Sequence, residues 1–258
     1  MNILIGDIGN TLTKICLVER KSYKIKKVIY FNSDDISSES FLKKKFNLNL
    51  KKAYLNKTAL FSSVVPKYFF LFKRFLKKFH KIELKEIKEK KINKIIKINI
   101  KNKLQVGSDR IANAVGVYKK YKVNCIVLDF GTATTFDVIT KDGIYNGGII
   151  APGINLAIKS LSHSADQIPI FSLKRQSKII GKNTIEALRS GFYWGYSGLI
   201  NNIILKIEKQ TKKKYTIIFT GGYANLFKTS IAKPFKIDKN ITIEGIIEIF
   251  KKNKEYLT

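Results

Sequence analysis

The chain is poor in cysteine, histidine and proline, and each scarcity narrows what it can do. Its 258 residues include two cysteines, two histidines and four prolines. Cys16 and Cys125 lie in separate apolar, strand-like runs, which predicts two buried free thiols and no disulfide or metal pair. Neither His80 nor His163 stands near a Cys/His cluster or a Ser/His/Asp arrangement. We therefore expect no catalytic histidine.

Long hydrophobic runs are also missing. The most apolar window, residues 59–79, is interrupted by Pro66, Lys67, Lys73 and Arg74, so it cannot cross a bilayer. The chain enters a strand-like run at once, without a basic leader, which argues against export. These features predict a reducing, cytoplasmic location.

Acidic residues are few: 19 Asp and Glu oppose 49 Lys and Arg, giving a formal net charge of +30. Such an excess can indicate a nucleic-acid or anionic-membrane partner. The cations are nearly all lysines spread over every segment, and Ile and Asn are abundant, a residue set that A/T-rich codons encode. No RRM, KH or helix-turn-helix signature is present. We favour the compositional explanation and expect no specific nucleic acid and no membrane as partner, although positive potential would steer an anionic substrate.

Two copies of one local pattern organise the chain. In each, a strand-like run reaches an aspartate, a glycine follows two positions later, and a threonine precedes a second strand-like run. The first copy is residues 3–11, with Asp7, and the second is residues 126–135, with Asp129. Glycine lets backbone amides approach a phosphate, threonine adds a donor, and aspartate can hold a cation. Two such hairpins predict phosphate binding by two related half-domains.

The order of predicted elements supports this duplication. With 45% hydrophobic and 12% aromatic residues, the chain can bury the core of one or two domains. The first third reads β-β-β-α-β-α, and residues 81–103 read as a linker or excursion with one strand near 94–98. A helix at 108–120 leads to a second β-β-β-α unit, and Asn183 with Glu186 marks the start of a long helix. A β-meander followed by alternating α and β resembles the ribonuclease-H-like core.

Two further motifs carry candidate chemistry. Residues 107–110, Gly-Ser-Asp-Arg, place a carboxylate beside a guanidinium at a helix start, which suits a general base next to an anion-binding cation. The same residues also fit an ordinary N-cap with a solvated arginine. Residues 220–222, Thr-Gly-Gly, can pack a glycine backbone against a nucleoside or form a plain turn. Asp137 can approach Asp129 across the second hairpin, but we expect it on the polar face of its strand.

Taken together, these residues resemble the type III pantothenate kinase family of the actin-like ATPase superfamily. The resemblance spans essentially the whole chain, and its motifs stand in the family's order and approximate spacing. The motifs are Asp7-Ile8-Gly9-Asn10-Thr11, Gly107-Ser108-Asp109-Arg110, Asp129-Phe130-Gly131-Thr132-Ala133, Gly147-Gly148-Ile149-Ile150-Ala151-Pro152-Gly153, Asn183-Thr184 and Thr220-Gly221-Gly222.

The resemblance implies a fold and an activity. The fold would be α/β, with two ribonuclease-H-like domains of the actin-like ATPase type, residues 1–110 and 111–258, and a cleft between them. The activity would be ATP-dependent phosphorylation of the pantothenate hydroxyl, the first step of coenzyme A synthesis. Members of the family are homodimers that require a divalent cation and a monovalent cation such as potassium or ammonium.

The resemblance also implies roles for individual residues. Asp109 would be the base that accepts the hydroxyl proton, Asp7 would lie near magnesium, and Asp129 would bind the monovalent cation. ATP would contact Asp7, Ile8, Gly9, Asn10, Thr11, Leu12, Thr13, Lys14, Thr132, Gly221 and Gly222. Pantothenate would contact Gly107, Ser108, Asp109, Arg110, Ile100 and, across the dimer interface, Thr184.

One segment departs from the family pattern. The family usually has Tyr-x-Asn-Pro ahead of Gly-x-Asp-Arg, and its Tyr contacts pantothenate, whereas this chain has Ile100, Asn102 and Lys103 at the corresponding positions. The loss of a hydroxyl puts substrate affinity in question, but it leaves the phosphoryl chemistry intact. Two alternatives stay open: an actin-like kinase for another small hydroxyl substrate, and a non-catalytic, nucleic-acid-associated regulatory paralogue.

Overall fold

The computed structural model describes residues 1–50, 55–89 and 92–253. The chain divides into two compact units. The first comprises Met1–Lys122, Asp142–Tyr145 and Asn240–Thr258, and the second comprises Val123–Lys141 and Asn146–Lys239. The first unit thus continues past the single boundary expected after residue 110, because it keeps the helix that follows the Gly107–Arg110 motif and the C-terminal helix that packs on it.

The first unit is built on a five-stranded mixed sheet with the order β3-β2-β1-β4-β5. Strands β1, β2 and β3 form an antiparallel meander, β4 runs parallel to β1, and β5 runs parallel to β4. Phenylalanines such as Phe46, Phe61 and Phe72 fill a core between this sheet and its helices. The elements are β1 (Asn2–Ile8), β2 (Leu12–Glu19), β3 (Ile25–Asn32), α1 (Glu39–Leu50), β4 (Thr58–Ser63), α2 (Pro66–Phe75), which continues as a π-helical turn (Leu76–His80), and β5 (Glu83–Glu86).

The linker expected over residues 81–103 is wrong in part, because this stretch supplies edge strand β5. Of the four β5 residues only Leu84 is fully buried, so the alternation was too short to produce a strand signal. The strand expected near residues 94–98 is present as β6 (Lys97–Ile98), which pairs in parallel with Ile144 and Tyr145.

Helix α3 (Ser108–Tyr121) is fixed in the first unit by close packing against the C-terminal helix, Ile241–Lys252. A Cβ atom at Gly245 would collide with the backbone of Ala112, so the helices pack backbone to backbone. The Thr242 hydroxyl donates to Asn113 Oδ1 at 2.7 Å. The start of α3, where the predicted base lies, is therefore held by a rigid helix pair.

The second unit carries a sheet with the order β11-β10-β7-β8-β9. Strands β7 and β8 are antiparallel, and β10 lies parallel to both β7 and β11. Phe130, Phe219 and Phe227 belong to the core between the sheet and the long helix. The elements are β7 (Cys125–Phe130), β8 (Ala133–Ile139), β9 (Ile144–Pro152, whose first two residues belong to the first unit), α4 (Ile154–Ser164), α5 (Thr184–Thr211), β10 (Thr216–Gly221), β11 (Phe235–Ile237) and, returning to the first unit, α6 (Ile241–Lys252).

Several local predictions can be compared with these elements. Asn183 caps α5 as predicted, accepting a hydrogen bond from the Glu186 amide at 2.9 Å. Both cysteines are free and buried, as predicted. Asp137 is fully buried, so the expectation of a polar strand face is wrong there. Over the ranges described, no helix combines the length and apolar character that a membrane span needs.

Candidate active site

The first predicted phosphate loop is the tight turn between β1 and β2. The register places Asp7 opposite Lys14 and Ile8 opposite Thr13. The Gly9 amide donates to the Leu12 carbonyl at 3.1 Å, and a Cβ on residue 9 would lie 2.8 Å from that oxygen. Glycine is therefore required at position 9 by the close approach of the Leu12 carbonyl, which closes the turn.

Ser33 fixes this turn from behind, and the sequence alone did not reveal it. Its hydroxyl donates to the Gly9 carbonyl at 2.6 Å and lies 3.0 Å from the Thr13 hydroxyl. Its amide donates to the Thr11 carbonyl at 2.9 Å. Ser33 follows β3 directly, so only the antiparallel meander brings it to the turn. A serine after a strand has no sequence signal of its own.

The predicted loop residues differ in what they can offer a nucleotide. The side chains of Ile8 and Thr13 are fully buried, so any contact they make with ATP would be through the backbone. Asn10, Thr11 and Leu12 are exposed at the tip. Further along β2, Lys14 Nζ donates to Asn240 Oδ1 at 2.6 Å.

The Gly107–Arg110 motif forms the N-terminus of α3. The Asp109 side chain folds back over the start of the helix: its Oδ1 accepts a hydrogen bond from the Arg110 amide at 2.8 Å. A Cβ atom on residue 107 would collide with Oδ1, so glycine provides the space in which the carboxylate lies. Ser108 is buried beneath it. The motif therefore holds one carboxylate in a defined position, over Gly107 and on the Arg110 amide. We call this arrangement of Gly107, Asp109 and the Arg110 amide the Asp109 nest.

Burial dominates the electrostatics of this carboxylate. It raises the pKa of the Asp109 carboxyl, because ionisation is disfavoured away from water. The Arg110 amide, the Arg110 guanidinium and the Lys88 ammonium oppose this shift and lower the pKa. A carboxylate whose pKa is raised in this way becomes a stronger base, as general-base catalysis requires.

A second carboxylate, Glu86, lies next to this helix start and was not predicted. Burial raises its pKa, and the Ser108 side chain and the Lys88 amide lower it. Its Oε2 accepts a hydrogen bond from the Lys88 amide at 2.6 Å. Glu86 ends the edge strand that the sequence reading missed, so no pattern connected it with Ser108.

The segment that lacks the family's Tyr and Pro is a short 3₁₀ turn, Lys103–Gln105. Asn102 caps it, and its Oδ1 accepts a hydrogen bond from the Leu104 amide at 3.2 Å. Ile100 is half-buried. Leu104 is 82% exposed. Burial of its side chain therefore does not hold the turn in place, and hydrogen bonds do.

In the second unit, the structure brings together two residues that the sequence marked separately. Strand β10 pairs with β7 so that Thr220 lies opposite Asp129. Gly221 has φ of +84°, and a Cβ there would lie 2.7 Å from Asp129 Oδ1. Gly222 donates its amide to the Phe130 carbonyl at 3.0 Å. The glycine pair thus lies against the carboxylate and backbone that end β7.

The tip of the β7–β8 hairpin is a tight turn, like the turn between β1 and β2. The Gly131 amide donates to the Ala133 carbonyl at 3.1 Å. A Cβ on Gly153 would collide with the carbonyl oxygen of Thr132, so the Ala-Pro-Gly turn before α4 packs directly on the tip. The register also puts Asp129 opposite Thr135 and Asp137 opposite Val127, which places both carboxylates on one side of the hairpin.

Thr184 is the first residue of α5. It lines an open, mainly apolar groove of about 930 Å³ that also includes Lys182, Leu188, Gly191 and Gly195. A Cβ at Gly191 or Gly195 would meet no atom within 4 Å. The helix surface is therefore open at these two glycines.

The donor set fits a magnesium ion that is shared with phosphate. Among the residues described, no group of three or more His, Cys, Asp or Glu side chains could form a metal cage. Mg²⁺ in kinases is typically held by one or two carboxylates and by substrate phosphates. Asp7, on a turn whose tip exposes Asn10 and Thr11, supplies such a carboxylate.

Comparison with known proteins agrees with this geometry. A protein from Campylobacter jejuni assigned to the Baf family of transcriptional activators superposes with a TM-score of 0.64 at 22% identity, covering 98% of this chain and all of that one. An activator of 2-hydroxyisocaproyl-CoA dehydratase from Clostridium difficile, solved with bound ADPNP, superposes with a TM-score of 0.55 at 10% identity, covering 99% and 97%. These similarities show the fold, and they confirm the predicted class of α/β, actin-like ATPase architecture.

Comparison with related sequences identifies the family more specifically than comparison of folds. The family model described as type III pantothenate kinase matches residues 3–206. The type III pantothenate kinase of Pelagibacter ubique (strain HTCC1062) is 51% identical over 245 residues, covering 95% of this chain and 97% of that protein. That of Paramagnetospirillum magneticum is 37% identical over 195 residues, about three quarters of each chain. The chain therefore belongs to the type III pantothenate kinase family.

Proposed function

We propose that this kinase transfers the γ-phosphoryl group of ATP in line to the pantothenate hydroxyl, with Asp109 as the base. Phosphorylation of pantothenate by ATP, the entry to coenzyme A synthesis, follows from family membership. The observation that supports the base assignment is the nest at the start of α3. There a half-buried carboxylate folds over Gly107, and its partial removal from water raises its pKa.

The substrate side of the proposal centres on this nest. Asp109 accepts the hydroxyl proton as the oxygen attacks phosphorus, and Arg110 supplies positive charge beside it. Gly107 and Ser108 shape the wall next to the hydroxyl, and Ile100 gives an apolar wall in place of the family's Tyr. Thr184 would contact pantothenate from a partner subunit. In-line transfer asks the protein mainly for positioning and neutralisation of charge.

The nucleotide side of the proposal uses the two tight hairpins. Asp7, Ile8, Gly9, Asn10, Thr11, Leu12, Thr13 and Lys14 would form the phosphate loop, with Thr132, Gly221 and Gly222 as further ATP contacts. Asp7 would hold magnesium, which neutralises phosphate charge when bound. Gly9 supports the loop assignment, because its lack of a Cβ lets the turn close against the Leu12 carbonyl, and this turn exposes Asn10 and Thr11 at its tip.

Asp129 would hold the monovalent cation, potassium or ammonium. Its carboxylate ends β7 beside the backbone of Gly221, and the tip carbonyls of the same hairpin pack closely. Carboxylate and carbonyl oxygens suit a weakly hydrated cation of this kind.

The proposal includes a homodimer, which we expect in the cytoplasm. The apolar groove along α5 supports association, because two glycines there leave room for close approach of a second helix. Thr184 lies on this groove. The dimer would therefore bring the α5 face of one protomer against its partner.

The decisive experiment measures ADP release with and without pantothenate, in magnesium and potassium, for the wild type and Asp109→Asn. Loss of a general base typically lowers turnover about 10²–10⁴-fold. We expect pantothenate-dependent release in the wild type and a loss of this size in the variant, with unchanged ATP affinity. Near-wild-type turnover in the variant would remove Asp109 from the base role. Absence of pantothenate-dependent release in the folded wild type would point to another acceptor.

A further inference from the structure

Lys88 links the edge strand β5 to the segment that precedes the proposed base. It lies in the 3₁₀ turn Ile87–Glu89, directly after β5. Its amide donates to Glu86 Oε2 at 2.6 Å, and its ammonium donates to the Leu104 carbonyl at 3.3 Å. Lys88 therefore connects the half-buried Glu86 carboxylate, through its backbone amide, with the 102–106 segment, through its side chain.

The 102–106 segment depends on such hydrogen bonds. Leu104 is held by two of them: its amide donates to Asn102 Oδ1, and its carbonyl accepts from Lys88. Its side chain is largely exposed, so it adds little burial energy to hold the turn. Val106, the next buried residue, leads directly into Gly107. The turn is thus joined through Val106 to Gly107, over which the Asp109 carboxylate folds.

The charge of Lys88 acts on the same nest. Of the charged side chains in the residues described, Arg110 and Lys88 are the two that lower the pKa of Asp109. Lys88 also lowers the pKa of Glu86, which interacts with Ser108. The groups around Asp109 are thus two cations, Arg110 and Lys88, and a neighbouring carboxyl, Glu86, that contacts the adjacent serine.

We propose that Lys88 is a positioning residue for phosphoryl transfer: it anchors the 102–106 turn and supplies a second cation beside the Asp109 carboxylate. Glu86 orients Lys88 by holding its amide. This inference rests on the proposed role of Asp109 as base, and it adds a residue outside the Gly107–Arg110 motif. Replacing an ordinary surface lysine would leave the KM for pantothenate and the pH profile unchanged, so activity measurements distinguish it from a positioning residue.

The test compares Lys88→Met with Lys88→Arg and with the control Lys94→Met, all in the full-length chain. Lys94 is an exposed lysine in the next 3₁₀ turn. For Lys88→Met we expect the KM for pantothenate to rise about tenfold, with the KM for ATP unchanged and kcat lowered less than about threefold. Lys88→Arg, which keeps the charge and a donor, should restore most of this loss. Lys94→Met should match the wild type.

A pH profile distinguishes this role from a purely structural one. Activity rises with pH as Asp109 ionises, so removing a cation that lowers its pKa should move the acidic limb of kcat/KM to higher pH. Because Lys88 is exposed, the move should be larger at low salt, where the Debye length reaches about 30 Å. Lys88→Gln, which keeps a polar side chain without the charge, should show the same move and serves if the Met variant does not fold.

Each outcome decides the proposal. A KM and an acidic limb unchanged in Lys88→Met or Lys88→Gln would overturn it, and so would equal effects in Lys94→Met. If the KM for pantothenate rises but the acidic limb of kcat/KM stays at the same pH, Lys88 does not act as a second cation on Asp109. Failure of the proposed function has a different signature, since the wild type would then lack pantothenate-dependent turnover or Asp109→Asn would keep it.

Discussion

Asp109 Oδ1 lies in the space that a Cβ atom on Gly107 would occupy, two residues earlier in the chain. Gly107 itself has φ of −57° and ψ of 143°, a conformation open to any residue. Glycine is therefore needed here for the carboxylate and not for the backbone. A substitution at Gly107 can therefore change activity without changing stability.

Gly107→Ala should impair catalysis without unfolding the protein. The new methyl group would push the flexible Asp109 carboxylate from its nest, while an Ala at this N-cap costs less than about 1 kcal/mol relative to glycine. We expect kcat to fall on the order of 10²-fold, as for a misplaced base, with a nearly unchanged Tm. Gly198→Ala is the matched control, since a Cβ there meets nothing within 4 Å. Wild-type turnover in Gly107→Ala would show that the nest is not required.

The pH dependence of stability should reveal the half-buried carboxyl of Asp109. Burial raises the folded-state pKa of Asp109 above the unfolded value of about 4. The folded state then binds more protons in the window between these two values, so this group lowers stability as pH rises through the window. Asp109→Asn should therefore gain stability relative to the wild type as pH rises above about 4. Urea unfolding at several pH values measures this, and a constant difference between the two proteins would contradict it.

Gly221→Ala should disturb the Asp129 site. Residue 221 has φ of +84°, which costs an L-residue about 1–2 kcal/mol, and the added Cβ would lie 2.7 Å from Asp129 Oδ1. We expect a lower Tm and a higher potassium concentration for half-maximal activity. Gly143→Ala is the control, because Gly143 has a similar φ of +74°, and a Cβ there would lie 2.8 Å from the Tyr118 ring and not against Asp129.

The same measurements test the cation assignment itself. If Asp129 holds potassium or ammonium, sodium alone should not support activity of the wild type, and the Gly143 variant should keep wild-type potassium dependence. Full activity in sodium, or equal potassium dependence in both glycine variants, would remove Asp129 from this role.

Gly195→Arg should prevent dimerisation without destabilising the folded protomer. Glycine inside a helix is about 1 kcal/mol less favourable than a good helix former, and Gly195 has open space around it. The Tm of the monomeric variant should therefore not be lowered by the substitution itself. The long charged arginine side chain should block the α5 groove and prevent a second protomer from packing there. We expect a monomer by analytical ultracentrifugation and reduced pantothenate turnover. Gln210→Arg, about 22 Å further along the same helix, should stay dimeric; a dimeric Gly195→Arg would exclude this face.

Much of the fold and part of the site followed from local patterns. Both Asp-x-Gly hairpins form with the expected strand on each side, and the Asn183 cap starts α5 where Glu186 indicated. These features depend on neighbours within a few residues, so residue type and spacing carry the information. The short edge strand β5 has mixed exposure and little periodicity, so its sequence indicates a linker and not a strand.

The sequence by itself determined the family, the two hairpins and the identity of the candidate base, because these reside in short motifs whose chemistry is local. Only the tertiary structure decided which distant residues support them. Ser33 reaches the first turn across the β-meander, and Gly221 reaches Asp129 through pairing of β10 with β7. Glu86 at the end of β5 and Lys88 in the turn after it act on Ser108 and Asp109 at the start of α3. Such contacts join residues far apart in the chain, and a one-dimensional pattern does not encode strand order or register.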